Sequence, residues 1–387
     1  LYNENQFAKK NLLNFDGTIM NSWQKDLEQL VTINSYTKNK AGVDKVGHLI
    51  AEKLLPLGFT CKRFPRQVIG DHLFFISQNR QGENILLLGH MDTVFPPDTF
   101  ETYSYDKKWV YGPGVCDMKG GLVVAIKALE SIYAKFGKIY NIDFLLVSDE
   151  ETGSDDSKSV TAKIAKEYKY AFIFEAAGKN DDLVVGRKGI GTFYLDIQGK
   201  ASHAGVAFEK GNDANLEAAY KLIELSKLTN LKKGSTVNVG KINGGIGANT
   251  ISPHNSLVFE TRFKTVEEKE RILKKIKEIS LFSFIDGTNS TLSGGLQRDV
   301  MEPNEKQKTL IQFFETLTEQ KLPQESRGGV SDANITASVG TLSIDGFGPF
   351  GDGDHTNKER ALMESFESRI RLCEAIFTYH QDNNKLL

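Results

Sequence analysis

Cysteine is scarce in this chain. Cys61, Cys116 and Cys373 are the only three in 387 residues, odd in number and far apart. That argues against a disulfide framework and fits a reducing compartment without requiring one. No apolar run approaches the ~20 residues needed to span a bilayer, which argues against a membrane partner. Neither charge is in excess: 48 Lys and Arg face 50 Asp and Glu, a formal net charge of −2. Nucleic acid, which favours a basic surface, is therefore not an expected partner. There is no internal repeat and no low-complexity tract. The first residue is Leu1 rather than methionine, so a native start, with any export signal, is expected upstream. The cytoplasm is the first expectation for location, with a periplasmic or secreted site as alternatives.

What is present is an ordinary globular composition, 40% hydrophobic and 25% charged. A length of 387 residues exceeds one typical core, so two domains are expected. Residues 1–22 are polar and Asn-rich and read as an arm. Val43, Val46, Leu49, Ile50, Leu54 and Leu57 follow a helical period, with Gly58 placed to end the helix. Leu73–Ile76, Ile85–Leu88, Ile142–Val147 and Ala171–Phe174 read as strands, with a helix over Gly120–Phe136 between the second and third. Strands alternating with helices predict an α/β layer with a mostly parallel sheet.

The middle of the chain changes rhythm. Strands at Thr192–Gln198, Thr236–Ile242 and Leu257–Phe263, helices at Asp213–Leu228 and Val266–Ile279, and a last strand in Leu281–Ile285 or Asn289–Leu292 give the order β-α-β-β-α-β. That is the ferredoxin-like arrangement. Residues 189–296 are therefore expected as an α+β domain inserted into a catalytic domain made of 1–188 and 297–387. Helices at Thr309–Leu317 and Asn357–Tyr379 complete the second part.

The polar motifs fall just past strands. His90 follows Ile85–Leu88, Glu150 and Glu151 follow Ile142–Val147, and Glu175 follows Phe172–Phe174. Sites in open α/β sheets form beyond the carboxyl ends of the strands, so these side chains can converge on one crevice. Asp117, in the turn Gly112–Gly121, and His355, in Gly353-Asp354-His355-Thr356, add a carboxylate and an imidazole. Two histidines and four carboxylates are the donor set and base of a hydrolase with two metal ions, zinc or a similar divalent ion. Asp117 is the best bridging candidate. Asp92, two residues after His90 and on the same face of an extended backbone, could accept the free ring N–H of His90. Glu150 and Glu151 are adjacent and should diverge, one ligating a metal and the other moving the proton of the attacking water. A bound divalent ion brings the pKa of water down to ~7.

These motifs resemble the M20 family of metallopeptidases, and within it the carboxypeptidase G2-like glutamate carboxypeptidases. The resemblance runs in order through Gly89–Val94, Gly112–Gly121, Asp149–Gly153, Gly199–Gly205, Gly247–Pro253, Gly328–Asn334 and Gly346–Thr356. It implies two zinc ions per chain, with cobalt or manganese as substitutes. His90 and Glu175 would serve one ion, Glu151 and His355 the other, with Asp117 bridging and Glu150 as general base. A cis peptide at Asp117-Met118 is implied as well. His203 resembles a histidine that stabilises the tetrahedral intermediate from a partner subunit, a contribution of about 2.7–4 kcal/mol in comparable sites. Asn249, Arg262 and Arg298 resemble residues that grip the substrate carboxylate, for which the guanidinium fork is suited. Gly328 and Gly329 resemble a turn lining the substrate pocket. A homodimer through the inserted domain, which would also act as a lid with hinges near Lys188 and Arg298, is implied too.

The expectation is thus a di-zinc metallo-exopeptidase acting on a small molecule or short peptide. It would cleave an amide next to a free carboxylate and release a C-terminal amino acid, glutamate first among them. An N-acyl amino-acid deacylase of the same fold is the nearest rival, and a non-catalytic binding protein on the same scaffold a rival of another class. Taken singly, His90 would be a structural histidine, Glu150 and Glu151 a solvated acidic turn, and His355 part of a flexible loop. Cys116 precedes Asp117 and should point away from the metals. His48, His72, His254 and His380 have no motif around them and read as structural or exposed.

Overall fold

The computed structural model describes residues 21–387, in two compact units. The first comprises 21–184, 305–325 and 341–387, the second Val185–Asn304 and Ser326–Gly340. The arm expected over 1–22 lies outside the described residues except at its end, where Ser22 already opens the helix Ser22–Val31.

The first unit is built on a six-stranded sheet in the order Thr60–Phe64, His72–Ile76, Ile142–Val147, Ile85–His90, Tyr170–Ile173 and Leu342–Ile344. Its last four strands run parallel, and the first two pair antiparallel. Ile85–His90 is buried at every residue. A strand covered on both faces reads as a continuous apolar run, which is why period 2 is absent from it. The helix Lys40–Leu54 buries Val43, Val46, Ile50 and Leu54, and Gly58, at φ 89°, closes the turn that follows. The helix Lys119–Phe136 buries most of its length and packs on Met363–Asn383.

A second, four-stranded antiparallel sheet joins Gly351–Asp352, Arg360–Leu362, Trp109–Tyr111 and Ser104–Tyr105. It corrects the helix expected over Asn357–Tyr379. Arg360–Leu362 is a strand, and the helix starts only at Met363. Pairing with Trp109–Tyr111 overrides the helical propensity of this charged stretch.

In the second unit the strand order is Thr236–Gly244, His254–Phe263, Gly189–Gln198 and Asn289–Arg298, all antiparallel. With the helices Ala214–Ser226 and Val266–Leu281 this is the split β-α-β-β-α-β arrangement. Phe193, Leu195, Ile197, Leu257, Phe259 and Phe263 face one apolar cluster with Leu225, Ile272 and Ile276. The unit is wider than the 189–296 expected of it. Ser326–Gly340 joins it because the Asn334 amide donates to the carbonyls of Lys188 at 3.1 Å and Asp299 at 2.6 Å. No helix of the described residues is long and apolar enough to cross a membrane.

Candidate metal centre

Five chain segments of the first unit deliver the polar residues. His90 is the last residue of its strand, and Glu175 stands two residues past the end of the neighbouring parallel strand. Glu150 and Glu151 open a single 3₁₀ turn, Glu150–Thr152, beyond Ile142–Val147. Asp117 ends the loop between Trp109–Tyr111 and the helix Lys119–Phe136, and its peptide bond to Met118 is cis. His355 sits at φ 61° in the turn of the hairpin from Gly351 to Leu362.

The two oxygens of Asp117 face different histidines. Oδ1 is 3.1 Å from His90 Nε2, and Oδ2 is 3.2 Å from His355 Nε2. His90 Nε2 lies 3.7 Å from Glu175 Oε1, and His355 Nε2 lies 3.1 Å from Glu151 Oε2. His90, Asp117 and Glu175 form one group, and Asp117, Glu151 and His355 the other, with donor atoms in each within 4.8 Å of one another. Ligands at about 2.0–2.2 Å around a tetrahedral ion stand about 3.3–3.6 Å apart, so both groups have the spacing of a metal-ligand set. Asp117 belongs to both.

The electrostatics ask for added positive charge. Burial, and after it the charge of Asp117, push the Glu151 carboxyl up to about 8. The same causes raise Glu175 well above the usual carboxylate range. The charge of Glu150 adds to the rise of both. Burial would raise Asp117 too, but the His355 and His90 rings outweigh it and hold Asp117 well below the usual range. Hydrogen bonds to Asp117 and Glu151 push His355 up to about 11. These imidazoles stand where cations are wanted, and a divalent ion in each group would take over that role.

The partner of the other His90 nitrogen differs in detail from expectation. Nδ1 lies 2.9 Å from the backbone carbonyl of Asp92, while the Asp92 carboxylate oxygen Oδ1 is 3.4 Å away. The carboxylate is held by Thr37 Oγ1 at 2.7 Å and by the Glu151 N–H at 3.3 Å. Asp92 thus fixes the ring through its main chain and ties it to the Glu150–Glu151 turn through its side chain. Cys116 is buried, and its Sγ donates to Glu359 Oε1 at 3.4 Å, away from either donor group.

Glu359 went unread in the sequence. It is buried and accepts from the N–H groups of Gly114, Cys116 and Asp117 at 2.9, 3.0 and 3.1 Å. Burial, then the charge of Asp117, push it up to about 7 against those three bonds. Its one sequence signal is a position four residues after His355. Lys119, also buried, donates to the Ile33 carbonyl at 2.9 Å, and burial brings it down to about 7.

The remaining predicted residues belong to the second unit. His203 is exposed, bridges Thr250, and accepts at Nδ1 from the Gly205 N–H at 3.1 Å. Asn249 is exposed beside it, its carbonyl accepting from the Ala204 N–H at 2.9 Å. Arg262 pairs with Glu260 at 2.7 Å and donates to the Gly328 carbonyl at 3.1 Å, so it holds the exposed Gly328–Gly329 turn. Arg298 is only 2% exposed and meets Asp332 at 3.3 Å, the position of a buried pair.

The sequence profile of peptidase family M20/M25/M40 matches residues 86–378. The chain belongs to this family. The match spans every residue of the two donor groups, and the protein is a metal-dependent hydrolase of the metallo-exopeptidase kind. Carboxypeptidase G2 of Pseudomonas sp. strain RS-16 is 28% identical over 344 residues, covering 86% of this chain and 83% of its own. Succinyl-diaminopimelate desuccinylase of Coxiella burnetii is 24% identical over 365 residues, covering 88% and 94%. Aminopeptidase PepT of Bacillus cereus superposes with a TM-score of 0.75 at 22% identity, over 92% of this chain and 97% of that one.

Proposed function

We propose that the protein is a two-metal carboxypeptidase that hydrolyses an amide bond next to a free carboxylate and releases a C-terminal amino acid, glutamate in the first instance. The observation that carries it is the Asp117 carboxylate, whose two oxygens face His90 and His355. His90, Asp117 and Glu175 would hold one zinc ion, and Asp117, Glu151 and His355 the other. When bound, the pair supplies positive charge that lowers the pKa of water to about 7 and polarises a carbonyl. Glu150, next to Glu151 in the turn Glu150–Thr152 but in neither donor group, takes the proton of the attacking water and returns it to the leaving amine. Asp92 holds His90 and the Glu150–Glu151 turn in register. In the second unit Arg262, Asn249 and the Gly328–Gly329 turn are our candidates for gripping the substrate carboxylate, and His203 for donating to the developing oxyanion. Arg298, held in its pair with Asp332, would act by fixing that turn region.

The carboxypeptidase G2 relative supports this reading, and the desuccinylase relative supports the alternative, an N-acyl amino-acid deacylase using the same metals and base. A substrate panel separates them. Zinc-loaded wild type should release glutamate from acyl-glutamates, a pteroyl-type compound included, and Glu150→Ala should lose at least about 10²-fold in kcat. Turnover of N-acetyl amino acids alone would move the assignment to the deacylase.

We further propose a homodimer through the second unit. The helix Ala214–Ser226 exposes Leu216, Tyr220 and Ile223 at helical spacing, and it packs on Thr236–Gly244, the edge strand of its sheet. A row of large apolar side chains beside an open strand edge suits a second copy of the same surface.

A further inference from the structure

Glu359 is a buried carboxylate to which the chemistry above gives no part. It is 1% exposed, and the hydrogen bonds its side chain accepts come from one loop. Oε2 accepts from the Gly114 N–H, while Oε1 accepts from the N–H groups of Cys116 and Asp117. Burying a carboxylate is costly unless donors surround it, and three amides and a thiol meet that need here. The converse matters more. Three N–H vectors of a loop that ends at Asp117 are aimed at one fixed point.

That point stands on the hairpin that carries His355. The strands Gly351–Asp352 and Arg360–Leu362 pair, with His355 in the turn between them and Glu359 four residues later. The hairpin and the loop lie in close contact. A Cβ added at Gly351 would come within 2.3 Å of Cys116 Cβ, so glycine is what permits the approach.

We propose that Glu359 is a positioning residue for Asp117, and through Asp117 for both metal sites at once; this rests on the reading of the site as a metal pair. Asp117 stands in both donor groups, so a small rotation of its loop would disturb both. His355, on the same hairpin, stands in only one donor group. Glu359→Gln keeps the shape but turns one acceptor into a donor, which then faces an amide N–H whichever way the group is flipped.

The test is zinc competition against a chromophoric chelator on metal-stripped full-length protein, with thermal melts of the same samples. Wild type should take up two ions. His355→Ala should lose one and keep the other near wild-type affinity. Glu359→Gln should weaken both by about 10–100-fold, the usual effect of disturbing a ligand's support. Glu268→Gln, in the second unit whereas both donor groups lie in the first, loosens the bonds of Glu268 to Ser235 and Arg271 and serves as a variant that lowers the melting temperature without changing zinc affinity. Wild-type affinity at either site in Glu359→Gln would overturn the proposal alone. A wild type that takes up no zinc would overturn the metal-pair reading and the proposal with it. Hydrogen exchange on metal-free wild type decides the matter even where the Glu359 variant does not fold. Peptides over 112–118 should exchange slowly, and exchange as fast as the exposed loop 246–249 would remove the post on which the proposal stands.

Discussion

Asp71 shows how much a single carboxylate outside the site does for the fold around it. It accepts from Lys40 Nζ at 2.7 Å, Arg66 N–H at 2.9 Å and Arg63 at 3.0 Å, tying the approach to His72–Ile76 onto the helix Lys40–Leu54. Burial would raise its pKa, but these three bonds and the charge of Lys40 bring it down to about 2 from an ordinary 3.8. A folded pKa below the unfolded one means stability that is present above pH 4 and lost as pH falls through 4 towards 2. Asp71→Asn should therefore cost about 1–2 kcal/mol at pH 7, discounted for the exposed Arg63. Denaturant titrations of both proteins should show the gap closing between pH 4 and pH 2. A gap of constant size across that range would mean that packing, and not charge, is what the variant removes. At the same scale, legibility in the sequence depends on distance. His90 and Asp92 are two residues apart, so a link was readable, although the ring binds the carbonyl rather than the carboxylate. Glu359 meets amides 242 to 245 residues away, and within Lys358-Glu359-Arg360 it looks like any solvated charge.

At the scale of elements, the strand ends organise the site, and one glycine sets how close a helix comes to them. Gly121, in the first turn of Lys119–Phe136, lies where a Cβ would meet the Phe174 carbonyl oxygen at 1.8 Å. Phe174 directly precedes Glu175. In an isolated helix Gly→Ala stabilises by about 1 kcal/mol. Here the backbone contact reverses the sign, and Gly121→Ala should destabilise by about 1–3 kcal/mol, as overpacking does. It should weaken zinc at the site shared by His90 and Glu175 as well. Thermal melts and zinc titration together check this, and an unchanged or raised melting temperature would show that the helix can shift away freely. The strands were legible because each is a short apolar run. Arg360–Leu362 was not, because a three-residue edge pairing carries no periodicity of its own, and the helical pattern of Met363–Asn383 extends visually across it.

At the scale of the whole molecule, all six residues of the two donor groups and the base lie in the first unit, whereas His203, Asn249, Arg262, Gly328 and Gly329 lie in the second. The order β-α-β-β-α-β announced the second unit in the sequence. Its extension over Ser326–Gly340 rests on hydrogen bonds such as that of Asn334 to the Asp299 carbonyl, which no local pattern encodes. The exposed row Leu216, Tyr220 and Ile223 was equally hidden, since a helix with apolar residues all round reads from sequence as one more buried helix. If that row joins two copies, Ile223→Glu should shift the protein from dimer to monomer in sedimentation at micromolar concentration while leaving zinc uptake intact. A function for His203 across that interface makes a sharper demand. His203→Ala and Glu150→Ala are each expected to be nearly inactive, but mixed after dissociation they form heterodimers in which one of the two sites has both an intact base and an intact donor. Activity should then return to about a quarter of wild type at equal mixing, since half of the dimers are mixed and each carries one complete site. Mixed dimers that form and stay inactive would mean that each chain relies on its own His203 or on none, and the second unit would then owe its exposed face to assembly alone.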